Sequence, residues 1–246
     1  MKRARPVRAA LVPVLLLVTS ASLCCAGETT DTSDSRSESS VLASPDRTAE
    51  LPDPATDGAV SLEQAVKARR SVREYTDEPL TLSEIGQLLW AAQGITSDEG
   101  ARAAPSAGGT YPLEIYVAAG RVAGLEPGVY RYRPATHDLI LSTTGDARAR
   151  LADASLDQVW VREGAAVVVI GAVYSRTTER YGERGVRYVH LEAGHAAQNL
   201  CLQATALGLA AVTVGAFSDD EVQDVLHMAR EEEPLYVLPI GRPSSP

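Results

Sequence analysis

A dense cluster of basic side chains stands in the first third of the chain, at Arg69, Arg70, Ser71 and Arg73. An arginine guanidinium presents a planar fork of N–H donors that matches phosphate oxygens, so three of them beside a hydroxyl indicate an anion site. A solvated helix end explains the same residues, because cations are favoured near a helix C-terminus. The whole chain carries a formal net charge of −9, and so positive a cluster in an acidic chain favours phosphate binding.

A second candidate is the glycine-containing segment Pro105-Ser106-Ala107-Gly108-Gly109, which leads into a strand-like sequence. Glycines let backbone amides approach a ligand closely, and Ser106 contributes a hydroxyl. No helix pattern follows, which excludes a P-loop and a dinucleotide-binding turn. A ligand-facing loop and a plain connecting loop therefore both stay open.

Two further segments offer groups of chemical interest. Val214, Gly215 and Ala216 connect a predicted strand to a predicted helix, and their amides could face a flat ligand or simply form a turn. Tyr181 precedes a long helical pattern and could donate or relay a proton. Each of these signals is weak when it is taken alone.

Several other functions find no support in the sequence. His190 and His195 are not arranged with a carboxylate in a metalloprotease order, so we expect no metal site. Ser106 lies in no Gly-x-Ser-x-Gly motif, which argues against hydrolase chemistry. The excess of 32 acidic over 23 basic residues argues against nucleic acid as a partner. Three cysteines are too few for a disulfide scaffold.

The elements that position these residues can be predicted from periodicity and capping. Three N-terminal capping boxes are expected, at Ser61 with Gln64, Thr81 with Glu84, and Ser218 with Glu221. The second helix should stop at Gly94, and the longest should run over 184–207 and end at Gly208. A last helix is expected over 218–228. Strands are predicted over 112–119, 128–133, 138–142, 165–173, 209–214 and 234–240. This order predicts an α+β protein built around one sheet.

The N-terminal quarter has a different composition. Residues 1–24 combine four basic side chains with a short apolar run and small residues, a pattern typical of an export signal. Cys24 and Cys25 resemble the lipid-attachment box of bacterial lipoproteins, so secretion and lipid anchoring both stay open. Residues 25–58 are rich in polar and acidic side chains and are expected to form a disordered tether, followed by one folded domain over 59–246. We therefore expect an exported protein, periplasmic or at the cell surface.

Taken together, five segments in order resemble the nitroreductase-like flavoenzymes, and most closely the SagB/ThcOx-type dehydrogenase branch. The matching segments are residues 69–73, 88–94, 104–112, 194–200 and 234–243. The resemblance implies a nitroreductase-like fold, with a central mixed β-sheet surrounded by helices and a long central helix at a homodimer interface. It also implies that FMN is bound at that interface.

The resemblance also assigns roles to particular residues. Arg69, Ser71 and Arg242 would hold the FMN phosphate and ribityl chain, with Arg70 in the same cofactor-binding set. Arg73 would approach the pyrimidine edge of the flavin. Pro105, Ser106, Ala107 and Gly109 would line the ring, and Val214, Gly215 and Ala216 would supply amides near its N5 side.

The chain departs from the azoline oxidases of that branch at one position. Those enzymes carry a Lys-Tyr pair thought to act as a base, whereas Arg180-Tyr181 stands there in this chain. Arginine is essentially always protonated, which argues against azoline oxidation and leaves Tyr181 as the candidate catalytic residue.

The resulting prediction is an FMN-dependent oxidoreductase that transfers hydride through flavin N5 to or from a small or peptide-derived substrate, with NAD(P)H as a candidate electron donor. Two alternatives remain: a non-catalytic protein at the cell surface that binds or scavenges flavin, and a degenerate homologue that acts as a structural partner.

Overall fold

The computed structural model describes residues 48–244 of the 246-residue chain. Within this range there are seven α-helices and nine strands. The helices are α1 (Leu62–Ala68), α2 (Leu82–Gln93), α3 (Arg148–Ala154), α4 (Val159–Glu163), α5 (Ser175–Tyr181), α6 (Arg184–Ala206) and α7 (Asp219–Leu226). The strands are β1 (Thr48–Glu50), β2 (Leu80–Thr81), β3 (Leu113–Ala119), β4 (Val122–Ala123), β5 (Gly128–Arg133), β6 (Asp138–Thr144), β7 (Ala166–Val173), β8 (Ala210–Ala211) and β9 (Glu232–Gly241). The predicted export signal lies outside the described residues.

Seven of the strands form one sheet in the order β1-β6-β5-β3-β7-β9-β8, and each neighbouring pair is antiparallel. The α+β class is confirmed, but this sheet is not mixed. Parallel pairing within the described range is confined to the two-residue strands β2 and β4. The neighbours β3–β5 and β5–β6 are joined by short connections, which allow antiparallel pairing, whereas the other four pairs are joined through longer segments of the chain.

The central strands are buried on both faces because alternate side chains enter two separate cores. Ile115 and Val168 pack with residues of α2 and α6, whereas Ala118 and Val167 pack with residues of α3, α4 and α7. Every residue of β7 is buried, as its continuous apolar run predicts. The described part of the chain therefore has three layers, with the sheet between two groups of helices.

Two of the three predicted capping boxes are present. In α1 the side chains of Ser61 and Gln64 cap reciprocally, and in α2 Thr81 and Glu84 do the same. The third prediction was wrong: Ser218 precedes α7, but its side chain makes no capping hydrogen bond. Gly94 and Gly208 end their helices at the expected places, the latter with a φ of 70°. The long helix thus has nearly the predicted length.

The boundary of the folded part differs from the one drawn from composition. Residues 48–50, inside the segment expected to be a tether, form β1 and pair with β6 at the edge of the sheet. Leu51 is buried, and Ala55 exchanges two hydrogen bonds with the side chain of Gln87. Strand pairing and one apolar anchor order this polar stretch, which composition alone does not reveal.

None of the described helices is both long and apolar enough to cross a membrane.

Candidate active site

The basic segment after α1 is fixed against the β8 edge of the sheet. The amide of Val72 donates to the carbonyl of Ala211 at 3.1 Å, and the amide of Thr76 donates to the carbonyl of Arg242 at 2.9 Å. The Tyr75 hydroxyl lies 3.0 Å from the Val72 carbonyl and 3.2 Å from that of Pro239. This segment has no regular secondary structure, yet it is held at both ends.

The first turn of α4 brings the basic segment close to the turn after β8. The Arg73 guanidinium lies over the Trp160 ring, 5.4 Å from its centroid. Two residues earlier, the Gln158 side chain donates to the carbonyl of Ala216 at 2.9 Å. The indole Nε1 of Trp160 is buried and has no hydrogen-bond partner among the described residues. Arg73 and Ala216 therefore both contact the start of α4, where the buried Trp160 Nε1 is an unpaired donor.

The four arginines of the predicted cofactor set have different surroundings. Arg69 is half-buried near Cys201, and its charge partly offsets the rise that burial causes in the pKa of that thiol. Arg70 is exposed and donates to the carbonyls of Lys67 and Arg69. Ser71 and Arg73 are exposed. The side chains of Arg69, Ser71 and Arg73 thus make no hydrogen bond within the described range.

Arg242 is positioned differently from the expectation. Its Nη1 and Nη2 atoms donate to the two carboxylate oxygens of Glu84 at 2.7 and 3.0 Å. Glu84 is the capping residue of α2, so this pair ties the end of β9 to the start of that helix. A bidentate carboxylate already occupies the fork that phosphate would use, and the buried Nε, which makes no hydrogen bond, lies 3.7 Å from Oε1 of Glu78. In this structure Arg242 is paired with carboxylates of its own chain, and its predicted contact with the cofactor stays a prediction.

The turn after β8 supplies two free amides and not three. Val214 is buried, and its amide donates to the carbonyl of Val237 at 2.8 Å, so it is not available to a ligand. Gly215 and Ala216 are exposed, and their amides meet no acceptor among the described residues. A β-carbon at Gly215 would meet only Tyr236, at 3.9 Å. The space beside the Gly215 α-carbon is therefore open.

The glycine loop is folded into a short 3-10 turn at Ala107–Gly109. Gly108 and Gly109 have φ values of 64° and 66°, in the left-handed region that glycine adopts without strain. The amide of Tyr111 donates to Ser106 Oγ at 2.9 Å. The hydroxyl of Thr110 lies 2.8 Å from that of Thr177 on α5. Local sequence and α5 together set the shape of this loop.

Tyr181, the predicted catalytic residue, lies at the end of α5 directly against this loop. A β-carbon built on Gly108 would fall 2.5 Å from the Tyr181 hydroxyl and 2.9 Å from Nη1 of Arg180. That Nη1 donates to the carbonyl of Gly108 at 3.1 Å. The Tyr181 ring also packs edge-on against Tyr188. The pair predicted from sequence therefore touches the glycine loop, with the arginine as a fixed donor.

A buried carboxyl that was not predicted from the sequence lies near Ser106 of the loop. Glu192 on α6 is 2% exposed, and burial raises its pKa to about 7 against smaller lowering effects of Ser106, Arg102 and Gln93. An available signal was its position: Glu192 lies three residues after Val189 and four before Ala196, both on the apolar stripe of the helix. An acidic residue in such a stripe is buried either as a charged carboxylate or as a neutral, protonated acid.

The candidate residues thus form two groups in one chain. We call Arg69, Ser71, Arg73, Gly215 and Ala216 the edge group, and Pro105, Ser106, Ala107, Gly109 and Tyr181 the loop group. Arg69 lies near Cys201 of α6, and Ser106 lies near Glu192. Nine residues at about 3.6 per turn place Glu192 and Cys201 on opposite sides of the helix and about 13 Å apart along its axis. Arg69 and Ser106, one member of each group, therefore lie near opposite sides of α6.

A groove of about 640 Å³ lies elsewhere, between residues 55–60, α1, α2 and the C-terminal half of α6, and no predicted site residue lines it. In the described part of the chain, no group of three or more His, Cys, Asp or Glu residues is placed to bind a metal ion.

Comparison with known proteins decides the family. The nitroreductase family model matches residues 66–242. The chain belongs to the nitroreductase family. A candidate nitroreductase of Methanocaldococcus jannaschii is 48% identical over 183 residues, which cover 74% of this chain and 91% of that protein. The crystal structure of a candidate nitroreductase from Ralstonia eutropha matches with a TM-score of 0.71 and 30% identity, over 83% of this chain and 93% of that one.

Two more distant structures share the fold. The NADPH:FMN oxidoreductase of Vibrio harveyi is 20% identical with a TM-score of 0.55, over 75% of this chain and 69% of that one. The microcin synthetase complex McbBCD of E. coli contains a chain that is 21% identical with a TM-score of 0.62, over 83% of this chain and 78% of that one. The nitroreductase-like fold expected from the five segments is confirmed, and the SagB/ThcOx branch is not established.

Proposed function

We propose that this nitroreductase-family chain is an FMN-dependent oxidoreductase that works as a homodimer, with each cofactor held between two copies. The substrate class we favour is a small organic molecule, with a nicotinamide nucleotide as the electron donor. The name of the Vibrio harveyi enzyme, an NADPH:FMN oxidoreductase, supports FMN and a nicotinamide nucleotide as ligands of this fold.

The division of the candidate residues into two groups carries the proposal. Arg69 of the edge group and Ser106 of the loop group lie near residues on opposite sides of α6, and we infer from this that one copy offers half of a site. A second copy related by a two-fold axis would bring the loop group of one chain to the edge group of the other. The outward side of α6 suits such contact, because Leu191 is 53% exposed and Val186 is 40% exposed.

The residues of the edge group fit the proposed cofactor. Arg69 and Ser71 offer a guanidinium and a hydroxyl to a phosphate, and the free amides of Gly215 and Ala216 are suited to the polar edge of a flat ring. Trp160 Nε1, buried without a partner beside Arg73, is an orphan donor of the kind that a bound acceptor satisfies. Arg70, Val214 and Arg242 are engaged within the chain, so we leave them out of the donor set.

FMN, when bound, supplies two-electron chemistry at its N5 atom, and the protein supplies position and charge. Arg73 holds a fixed positive charge on the Trp160 ring, where it offsets negative charge on an adjacent ligand. Arg180 holds the Gly108 carbonyl and keeps the loop in place. Tyr181 presents its hydroxyl at Gly108, where it can hold a proton for the substrate.

A second substrate class, a modified peptide, has one argument in its favour. The microcin synthetase structure, whose title describes a complex with a truncated pro-microcin, shares the fold. Against this class, Arg180 carries a permanent charge and is already a donor to Gly108, so it cannot act as a base. Export through residues 1–24, with secretion or lipid attachment at the cysteine pair, is a separate proposal that mass spectrometry of the mature N-terminus tests.

The deciding experiment is an absorbance spectrum of the purified protein with added FMN, followed by anaerobic addition of NADH or NADPH. We expect bound flavin, a dimer by light scattering, and bleaching that air reverses. A yellow dimer that no nicotinamide, nitro, quinone or azoline compound reduces or reoxidises would favour the non-catalytic flavin-binding alternative. A colourless protein that takes up no FMN would overturn the proposal.

A further inference from the structure

The tight turn between α3 and α4 has an uncommon backbone conformation. Leu156 and Asp157 both have a φ of 58°, in the left-handed region that residues other than glycine seldom adopt. The amide of Gln158 donates to the carbonyl of Ser155 at 3.3 Å, which closes the turn across these two residues. The Leu156 side chain is 67% exposed, so burial of its apolar surface does not offset the strain. Strain of this kind persists where the surrounding structure fixes the backbone, often beside a functional site.

The side chain of Gln158 connects this turn to the edge group. Its Nε2 atom donates to the carbonyl of Ser155 at 2.7 Å and to that of Ala216 at 2.9 Å. Both partners are carbonyl oxygens, which only accept, so the nitrogen of the side-chain amide is the atom that faces them. One amide group thus uses both of its N–H donors to join segments that are far apart in the chain.

Gln158 stands at the N-cap of α4 but does not cap that helix. Side chains at this position usually accept a hydrogen bond from an amide of the first turn, and Ser, Thr, Asp and Asn do so best. The Gln158 side chain makes no such bond. The start of α4 is left without a side-chain cap, while the same side chain reaches Ala216. A residue that breaks a local rule in favour of a distant contact is expected near functional sites.

The turn that this glutamine reaches is the one with the free amides. Before the turn, Val214 pairs with β9 through its backbone. After it, the amide of Ser218 donates to the last carbonyl of α3 at 2.8 Å. Residues 215–217 make no other hydrogen bond within the described part of the chain than the one at the Ala216 carbonyl. That bond is therefore what holds the middle of the turn.

The bond at the Ala216 carbonyl fixes the peptide plane beside the free amides. The described chain contains no cis peptide, and in a trans peptide the N–H points away from the C=O. Holding the Ala216 carbonyl on Gln158 therefore directs the Phe217 amide away from Gln158. The same bond restrains the backbone of Ala216, whose own amide and that of Gly215 are unpaired within the described chain.

The start of α4 also positions a second part of the edge group. Trp160 lies two residues after Gln158, and the Arg73 guanidinium stands 5.4 Å from the centroid of its ring. A single short segment thus contacts the edge group at Arg73 and at Ala216. Its geometry bears on the charge as well as on the amides that the group presents.

We propose that Gln158 is a positioning residue for the flavin site, whose side-chain amide holds the turn at Gly215 and Ala216 so that the free amides meet the polar edge of the cofactor. The inference rests on the proposed function, because it takes these amides to contact FMN. Both N–H groups of Gln158 are used within the chain, so this residue acts through Ala216.

The test measures the dissociation constant of FMN by fluorescence titration of wild type and Gln158→Met. Methionine has nearly the length of glutamine and lacks an N–H donor, and the half-buried position accepts it without disturbing the core. FMN then has to order a turn that the wild-type chain already holds. We expect the dissociation constant to rise about 2- to 12-fold, the range that corresponds to one neutral hydrogen bond.

Gln223→Met is the matched control. The Nε2 atom of Gln223 also donates to backbone carbonyls, those of Ala229 at 3.0 Å and Glu232 at 2.8 Å. Glu232 begins β9 and lies five residues before Val237, the partner of Val214, which is about 16 Å along the strand. Gln223→Met should lower thermal stability and leave the FMN dissociation constant unchanged.

Hydrogen exchange of the apoproteins supplies a readout that needs no cofactor. Mass spectrometry of peptides that cover residues 213–219 reports the Val214 and Ser218 amides, which anchor the turn. We expect these peptides to exchange faster in Gln158→Met than in wild type or Gln223→Met. Gln158→Glu, which keeps the shape and replaces the nitrogen by oxygen, makes the same test if the methionine variant does not fold.

The outcomes separate this inference from the proposed function. If wild type and Gln158→Met bind FMN equally well, or if Gln223→Met loses as much affinity, Gln158 does not position the site. Unchanged exchange of residues 213–219 would likewise overturn the inference. A wild-type protein that takes up no FMN would overturn the proposed function itself, and with it the cofactor role of Gln158.

Discussion

The hydroxyl oxygen of Tyr181 lies 2.5 Å from the point where a β-carbon on Gly108 would stand. The two residues are far apart in sequence, and each was singled out for a separate reason: one as a proton carrier, the other as a flexible loop residue. The structure makes them one feature, because the loop can approach α5 this closely only where a side chain is missing.

Gly108→Ala should therefore lower the stability of the protein by more than backbone strain alone would. An alanine there meets a φ of 64° and displaces the Tyr181 hydroxyl. Gly124→Ala is the matched control, since Gly124 has a φ of 83° but nothing within 4 Å of its β-carbon position. Thermal unfolding should show that Gly108→Ala loses at least ~1 kcal/mol more unfolding free energy than Gly124→Ala does. Equal losses in the two variants would mean that Tyr181 does not pack on the loop.

Tyr181→Phe should slow turnover and leave the flavin bound. The substitution removes the hydroxyl and keeps the ring that packs on Tyr188. Tyr188→Phe is the control, because it changes the other ring of the same contact. Steady-state rates and the visible spectrum are measured on both. An unchanged rate in Tyr181→Phe would remove this hydroxyl from the reaction.

Arg69→Ala should weaken FMN binding, whereas Arg70→Ala should have little effect. A charge-assisted hydrogen bond to phosphate contributes about 1.5–3 kcal/mol, which corresponds to roughly 10- to 150-fold in the dissociation constant. Arg70 already donates to the carbonyls of Lys67 and Arg69. Fluorescence titration of the apoproteins gives both constants. Full FMN affinity in Arg69→Ala would contradict the phosphate assignment.

Arg242→Ala should lower stability more than it lowers FMN affinity. Its bidentate pair with Glu84 is partly buried, and truncation leaves that carboxylate without its partner. A double-mutant cycle with Glu84→Gln, followed by chemical denaturation, should show coupling of about 0.5–3 kcal/mol. If the coupling is absent and the variant loses FMN instead, Arg242 binds the cofactor as the family resemblance implied.

Glu192→Gln should make the protein more stable at pH 8. Between pH 4.5 and about 7 the folded chain keeps a proton on Glu192 that the unfolded chain has lost, so wild-type stability falls as the pH rises through this window. Glutamine removes this dependence. Each kcal/mol regained raises Tm by roughly 2–4 °C in a domain of this size. If Glu192→Gln lost as much stability between pH 5 and pH 8 as the wild type does, the pH dependence would come from another titratable group.

Much of the fold could be predicted because its signals are local. The apolar run of β7, the hairpin of β5 and β6, and the stripe of α6 each follow from the period of their own residues. Helices α3, α4 and α5 were missed, since none has a side-chain cap and the longest of them has seven residues. Their helical form depends on packing against the sheet and α6, which a short sequence window does not contain.

The site was predicted in part for the same reason. Residue type and the family's motif pointed to Arg69, Tyr181 and the glycine loop, and the structure places Tyr181 against that loop, while the cofactor role of Arg69 stays a prediction. It could not be read from sequence that Arg242 meets Glu84, or that the Val214 amide meets Val237, because both contacts join segments distant in the chain. Glu192 was overlooked although its place in the apolar stripe of α6 indicated burial, because its proximity to Ser106 joins segments distant in the chain.

Strand β1 covers the outer edge of β6 with three residues. A fragment cut at residue 59, where composition suggests that the folded part begins, would leave β6 as the terminal strand with unpaired N–H and C=O groups. Such edges recruit strands from other molecules and promote aggregation. A soluble expression fragment should therefore start upstream of Thr48, and insolubility of shorter fragments would reflect this exposed edge and not an unstable core.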